Sequence, residues 1–247
     1  MARATLGRLI PLLRRGQRPV CVMLPGAGGG LQPYLRLAGF FGQTHNVYAV
    51  RAAGLIPDEE PEDRVQVMAD SAVRALDEAG IVPDLVFGWS MGGVIGWETC
   101  VRLADRGVRP ALVLLDSSPL PRKATGEGDT WLLDRVVQML GPRPDRATVE
   151  RVRRTLLAQM AALSDYRTER PYAGRVLLVT CSDPDPMRQP SVQAWRTLAS
   201  DLREGHLDVD HFEVFDQVHL PGLVDALTPF LDRDAGQPTT RAAGSAV

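Results

Sequence analysis

Gly88-Trp89-Ser90-Met91-Gly92 sets a hydroxyl between glycines, directly after the apolar run Asp84-Leu85-Val86-Phe87 and before a helical stretch that opens at Met91. A GxSxG pentapeptide carries chemistry only in that setting, where a strand feeds a tight turn into a helix. Small residues at 88, 92 and 93 let strand and helix nearly touch and leave the serine oxygen exposed at the apex. The competing reading is a glycine-rich turn whose serine caps the helix. With a strand on one side and a helix on the other, Ser90 is expected to be a nucleophile.

A serine hydroxyl is a poor nucleophile until a base reaches it and an acid orients the base. Among four histidines, His219 follows Phe212-Glu213-Val214-Phe215, which reads as the last strand, and precedes a helix over about 222–231. A loop after the last strand would return an imidazole over the serine, so His219 is the expected base and His211 the reserve. His45, His206 and His211 otherwise read as surface residues. Two aspartates end strands: Asp116, 26 residues after Ser90, and Asp183, with Asp185 behind it. Either could hold the imidazole tautomer, and spacing leaves both open.

The negative charge that develops on an attacked carbonyl needs two backbone N–H groups. Met91 supplies one, and Leu24-Pro25-Gly26-Ala27-Gly28-Gly29-Gly30, after the first core strand, supplies the other from Ala27 or Gly26. A phosphate-binding reading of these glycines lacks the lysine, the Ser/Thr and the GxGxxG spacing it requires.

These groups need a scaffold that brings strand ends together. Continuous apolar runs at 20–24, 47–50, 84–87, 111–115 and 176–181 suit strands buried on both faces. Helical spacing at 62–79 and 91–104 alternates with them, which implies crossover units and a doubly wound, mostly parallel α/β sheet of the α/β-hydrolase fold. About fifty residues separate the 111–115 strand from the next, with amphipathic patterns at 131–140 and 146–163, so a helical lid insertion is expected over about 117–170. Within it Trp131, Val136 and Leu140, together with Gly26 and Trp89 near the serine, are candidates to line a substrate pocket. Residues 1–233 read as one domain, and 234–247 as a disordered tail.

Composition narrows the class further. The 247 residues carry 28 Lys+Arg against 30 Asp+Glu, a formal charge of −2, which gives no drive toward nucleic acid or an anionic membrane. Arg14, Arg15 and Arg18, and Arg151, Arg153 and Arg154, read as solvated faces, either of which could meet an acidic carrier protein. Cys21, Cys100 and Cys181 match no metal spacing and no disulfide framework, which suits a reducing cytoplasm and no metal cofactor. The apolar stretch near the N-terminus is too short to span a membrane and has no cleavage pattern.

The Pro-Gly-Ala-Gly-Gly loop, Gln32-Pro33-Tyr34, Val47 to Leu55, the Gly-Trp-Ser-Met-Gly-Gly turn and Pro171-Tyr172-Ala173-Gly174 together resemble the thioesterases of nonribosomal peptide and polyketide synthases. The resemblance runs from about Val20 to Leu231. It implies an acyl, peptidyl or polyketide chain delivered as a thioester on the phosphopantetheine arm of a carrier protein, an acyl-Ser90 intermediate, and release by hydrolysis or macrocyclisation. It needs no other cofactor and implies a monomer or homodimer. Synthase-terminal members carry the acid at the position of Asp116, discrete editing members at that of Asp183, and the early loop, which lacks the editing enzymes' frequent histidine, favours Asp116. A general esterase or lipase with the same triad and a non-catalytic carrier-binding or ligand-binding protein are the rival readings.

Overall fold

The computed structural model describes residues 7–123, 125–182 and 185–232. Among these residues seven strands form one sheet: β1 (Leu9–Leu13), β2 (Val20–Leu24), β3 (Asn46–Val50), β4 (Leu85–Trp89), β5 (Ala111–Leu115), β6 (Tyr172–Thr180) and β7 (Ala199–His206). Their spatial order is β1-β3-β2-β4-β5-β6-β7; only β1 runs antiparallel to its neighbour. The chain moves from β2 to β3 on one side and returns to β4 on the other. The sheet therefore has its switch point between β2 and β4, where ligands gather at the carboxyl ends of strands.

Helices α1 (Tyr34–Phe41) and α7 (Leu220–Leu231) cover one face, while α2 (Val65–Glu78), α3 (Met91–Ala104) and α6 (Arg188–Leu198) cover the other. The central strands alternate between the two layers: Cys21, Met23, Phe87 and Val113 face α1 and α7, while Val22, Leu24, Val86 and Leu112 face α2 and α3. Burial on both faces explains why β4, Leu-Val-Phe-Gly-Trp, and β5, Ala-Leu-Val-Leu-Leu, carry no charged side chain.

Two helices interrupt the alternation between β5 and β6: α4 (Gly126–Gln138) and α5 (Arg146–Ser164). Both expected helices are present, with α4 starting five residues earlier than its apolar pattern because Gly126 to Thr130 carry no hydrophobic side chain. The two differ in attachment. Only Val136 of α4 is buried, whereas α5 buries Val152, Leu156 and Met160 and is tied to the body by Arg151 Nε donating to the Leu55 carbonyl and Thr155 Oγ1 donating to that of Ala53.

The last strand is a correction. Phe212–Phe215, expected as that strand, form turns; Val214 and Phe215 are apolar because they fill the layer beneath α1 and α7. The true last strand, Ala-Ser-Asp-Leu-Arg-Glu-Gly-His, lies at the sheet edge with Glu204 paired to Arg196 at 2.6 Å. An edge strand half in water keeps charge and shows no apolar run. The expected tail at 234–247 falls outside the described residues.

Candidate active site

Ser90 sits where β4 turns into α3, with φ 55° and ψ −126°, a left-handed conformation that costs a non-glycine residue on the order of 1–3 kcal/mol. The turn is held by Ser90 N–H donating to the Leu115 carbonyl at 2.8 Å and Gly93 N–H donating to the Ser90 carbonyl at 3.0 Å. The crowding explains the glycines: a Cβ on Gly88 would meet the backbone of Gly92 and Gly93, and one on Gly92 would run into the carbonyl oxygens of Leu24 and Pro25. β4 and the loop after β2 are pressed together, which brings Ser90 beside that loop.

The loop presents one amide. Gly26 N–H donates to Tyr34 Oη at 2.9 Å, Gly28 N–H to Gln159 Oε1 at 2.7 Å and Gly29 N–H to the Gly26 carbonyl at 3.0 Å. Among the described residues, Ala27 N–H has no hydrogen-bond acceptor. On the other side, Met91 N–H opens α3, where the first amides of a helix lack intrahelical acceptors. Of the two loop amides expected as oxyanion donors, Gly26 N–H is thus occupied, and Ala27 N–H is the one left without an acceptor among the described residues.

Asp116 follows β5 in a left-handed turn with φ 45°. Its Oδ1 accepts from Cys181 N–H at 2.9 Å, and its Oδ2 contacts Nδ1 of His211 at 2.6 Å. Burial pushes this carboxyl up, but the hydrogen bond and charge of His211, the Cys181 amide and Arg188 outweigh it and hold the group below its ordinary value. An ionised carboxylate only accepts, so Nδ1 carries the hydrogen and Nε2 is the basic nitrogen of the neutral ring. The His211 ring lies against Trp89, the residue before Ser90, with centroids 4.9 Å apart and planes 31° apart.

The imidazole that faces Asp116 is thus that of His211, the reserve candidate, and not that of His219, the expected base. The loop after β7 is the right place for it, but the misplaced strand shifted the expectation by eight residues. After His206 the chain pairs along the end of β6, with Leu207 N–H on the Thr180 carbonyl and Ser182 N–H on that of Val209, which carries His211 across to Asp116. His219 instead precedes α7, with its Nε2 4.0 Å from Glu213. The missed signal was α6: Val192, Trp195 and Leu198 mark a helix after β6, and strand–helix alternation demands another strand behind it. Asp183 lies outside the described residues.

Two clefts, of about 520 and 490 Å³, flank this arrangement and share Asp116, Ser118 and Asp185. The first runs past Ser90 over Met91, Val94, Leu120, Leu163 and Met187; the second holds His211 with Arg188, Asp210, Phe212 and Trp131. Of the expected pocket residues, Trp131 lines the second cleft and packs edge-on to Phe212 at 5.4 Å. Trp89 lies buried beneath His211. Val136 and Leu140 line neither cleft: Val136, on α4, and Leu140, just past its end, pack with Leu156 and Met160 of α5 in the small core under the insertion. The two arginine clusters are partly engaged within the fold, Arg18 on the carbonyls of Gly42 and Gln43, and Arg154 on Glu60 and the Glu59 carbonyl.

A nucleophile elbow at a β4–α3 turn, a carboxylate–imidazole pair beside it and an insertion after β5 define an α/β-hydrolase-fold enzyme. Residues 19–231 match the thioesterase domain family, and the chain belongs to it. Orsellinic acid synthase armB of Armillaria mellea is 29% identical over 228 residues, which cover 81% of this chain and 10% of that protein. Indigoidine synthase of Streptomyces lavendulae is 30% identical over 117 residues, 46% of this chain and 9% of that protein. The chain thus spans about a tenth of the length of these relatives. In fold it is similar to the Vlm2 thioesterase domain bound with a dodecadepsipeptide (TM-score 0.74, 22% identity, covering 94% of this chain and 99% of that one). It is likewise similar to YbtT, a type II thioesterase of the yersiniabactin pathway (TM-score 0.73, 24% identity, 92% and 99%).

Proposed function

We propose that this protein hydrolyses acyl thioesters delivered on the phosphopantetheine arm of a carrier protein, through an acyl ester on Ser90. The observation that carries the reading is the Asp116–His211 pair stacked on Trp89, set beside an elbow serine and the Ala27 amide, which has no acceptor among the described residues. His211 Nε2 takes the Ser90 proton as Oγ bonds to the thioester carbon, and the oxyanion is held by the amides of Ala27 and Met91. The carbon–sulfur bond then breaks and His211 returns the proton to the departing thiolate. Water, deprotonated by His211, attacks the acyl ester; the acid leaves and Ser90 recovers its hydrogen.

Family membership supports the thioester as substrate class. Water as second nucleophile is supported by the polar wall of Asp185, Arg188 and Asp210 in the cleft beside His211. Among the described residues Cys21, Cys100 and Cys181 are buried and form no disulfide, and no helix is long and apolar enough to cross a membrane. The test is to load an acyl group on a phosphopantetheinylated carrier protein and follow free acid together with the mass of the enzyme. An acyl adduct mapped to Ser90, and no turnover by Ser90→Ala, are expected. Turnover by Ser90→Ala, or a marked preference for the matched oxygen ester, would sink the reading.

A further inference from the structure

Ala27 is bracketed. Two side-chain anchors hold its flanks: the peptide that ends in Gly26 through Gly26 N–H on Tyr34 Oη, and the peptide that follows Ala27 through Gly28 N–H on Gln159 Oε1, while the peptide between them, which bears Ala27 N–H, is tied within the turn by Gly29 N–H on the Gly26 carbonyl. The two anchors come from different parts of the chain: Tyr34 opens α1 on the body, while Gln159 projects from α5, 131 residues away from Gly28 and inside the insertion. Gln159 is 4% exposed, a polar side chain that the interior holds only with a partner. Gly28 and Gly29 have φ of 88° and 69°, and Val136 of α4 fills the space a side chain at 28 would need. The turn is therefore locked from the insertion side by one hydrogen bond and one apolar contact.

We infer that Gln159 is a positioning residue for the oxyanion site: by accepting from Gly28 N–H it fixes the peptide that follows Ala27, and with it the turn through which Ala27 N–H is presented to Ser90, and so makes that donor depend on the seating of α5. The inference rests on the thioesterase reading above. Replacement by methionine removes the acceptor and keeps the length. Alanine is avoided because Gln159 already borders a cavity of about 20 Å³, and a larger void would admit a water able to accept from Gly28.

Three proteins are compared: wild type, Gln159→Met and Gln159→Glu, the last of which retains an acceptor oxygen. Each is assayed for thioester kcat and KM, for inhibition by an acyl trifluoromethyl ketone, whose adduct with serine carries an oxyanion, and for binding of a non-hydrolysable thioether analogue. A displaced oxyanion donor lowers kcat by about 10- to 100-fold and weakens the ketone by a similar factor, with KM and thioether binding nearly unchanged. Gln159→Glu recovers most of both. A purely structural role would move thioether affinity and melting temperature together and leave no selective loss toward the ketone, and that pattern overturns the inference. So does a Gln159→Met protein equal to an active wild type, which leaves the thioesterase reading intact. A wild type inert toward both thioester and ketone overturns both.

Discussion

Replacing Asp116 by asparagine changes one oxygen to nitrogen at a carboxylate whose two oxygens have different duties. Oδ1 accepts from the Cys181 amide at 2.9 Å and Oδ2 faces His211 Nδ1 at 2.6 Å. If the asparagine keeps its oxygen toward Cys181, its NH2 meets Nδ1, which must then accept; the hydrogen moves to Nε2 and the ring can no longer take the Ser90 proton. If it turns over, two donors confront each other beside Cys181. A buried donor without an acceptor costs about 1–3 kcal/mol, so the competent orientation is reduced about 5- to 150-fold. The charge-assisted bond to the imidazolium formed on attack, worth about 1.5–3 kcal/mol, is lost as well, a further factor of about 10 to 150. The expected fall in kcat is therefore about 10²- to 10⁴-fold, read as single-turnover release of free acid from a loaded carrier, with melting temperature as the control for folding. Asp116→Asn retaining more than about a tenth of the wild-type rate would refute this hydrogen-bond reasoning, and so would a large loss in Asp183→Asn beside a small one in Asp116→Asn.

Other outcomes follow from the same geometry. His211→Ala lowers kcat by about 10³-fold or more, while His219→Ala, altered at a residue preceding α7, stays near wild type; the reverse ranking would return the base to His219. Gly92→Ala, whose methyl would collide with the Leu24 and Pro25 carbonyls, loses about 3 kcal/mol or fails to accumulate as folded protein, and an unshifted urea midpoint would show that the elbow and the loop are not pressed together. Glu59 is pushed up by burial but held below its ordinary value overall by the Arg51 guanidinium and the Gly54 amide, and Asp116 is likewise lowered. The unfolded chain therefore binds these protons more tightly than the folded one. The stability they confer is complete above the ordinary carboxylate range, about 4, and is lost as pH falls through it toward the lower folded values. Melting temperatures between pH 6 and 3 should fall less steeply for Glu59→Gln than for wild type, and parallel curves would exclude the Arg51 pair as a cause.

The centre of the molecule was legible because its physics is simple. β4 and β5 are buried on both faces and show as bare apolar runs, and the glycines around Ser90 announce a turn where no side chain fits. Asp116 could be proposed from its place at the end of β5, but its partnership with Cys181 N–H could not, since that depends on register between strands far apart in sequence. The imidazole opposite Asp116 was misplaced for an opposite reason. β7 is an edge strand that satisfies its side chains in water and in the Arg196–Glu204 pair, so it carries no apolar signature, while Val214 and Phe215 look strand-like although they merely plug the core from a turn. Gln159 was invisible: within an amphipathic helix, a glutamine aimed at a loop amide reads the same as one aimed at solvent.

The stacking of Trp89 on His211 bears on charge. In the proposed mechanism the imidazole that takes up the Ser90 proton becomes a cation, with a carboxylate at one edge and an indole face 4.9 Å away. The electron-rich face of an indole attracts a cation within about 6 Å by on the order of 0.5–2 kcal/mol, more where water is excluded, and Trp89 is 4% exposed. The second residue of the pentapeptide is thus more than a spacer between glycine and serine: an aliphatic side chain there would fill the volume and leave the imidazolium without that quadrupole. Phenylalanine, with a weaker one, should rank between tryptophan and leucine in the rate of acyl transfer.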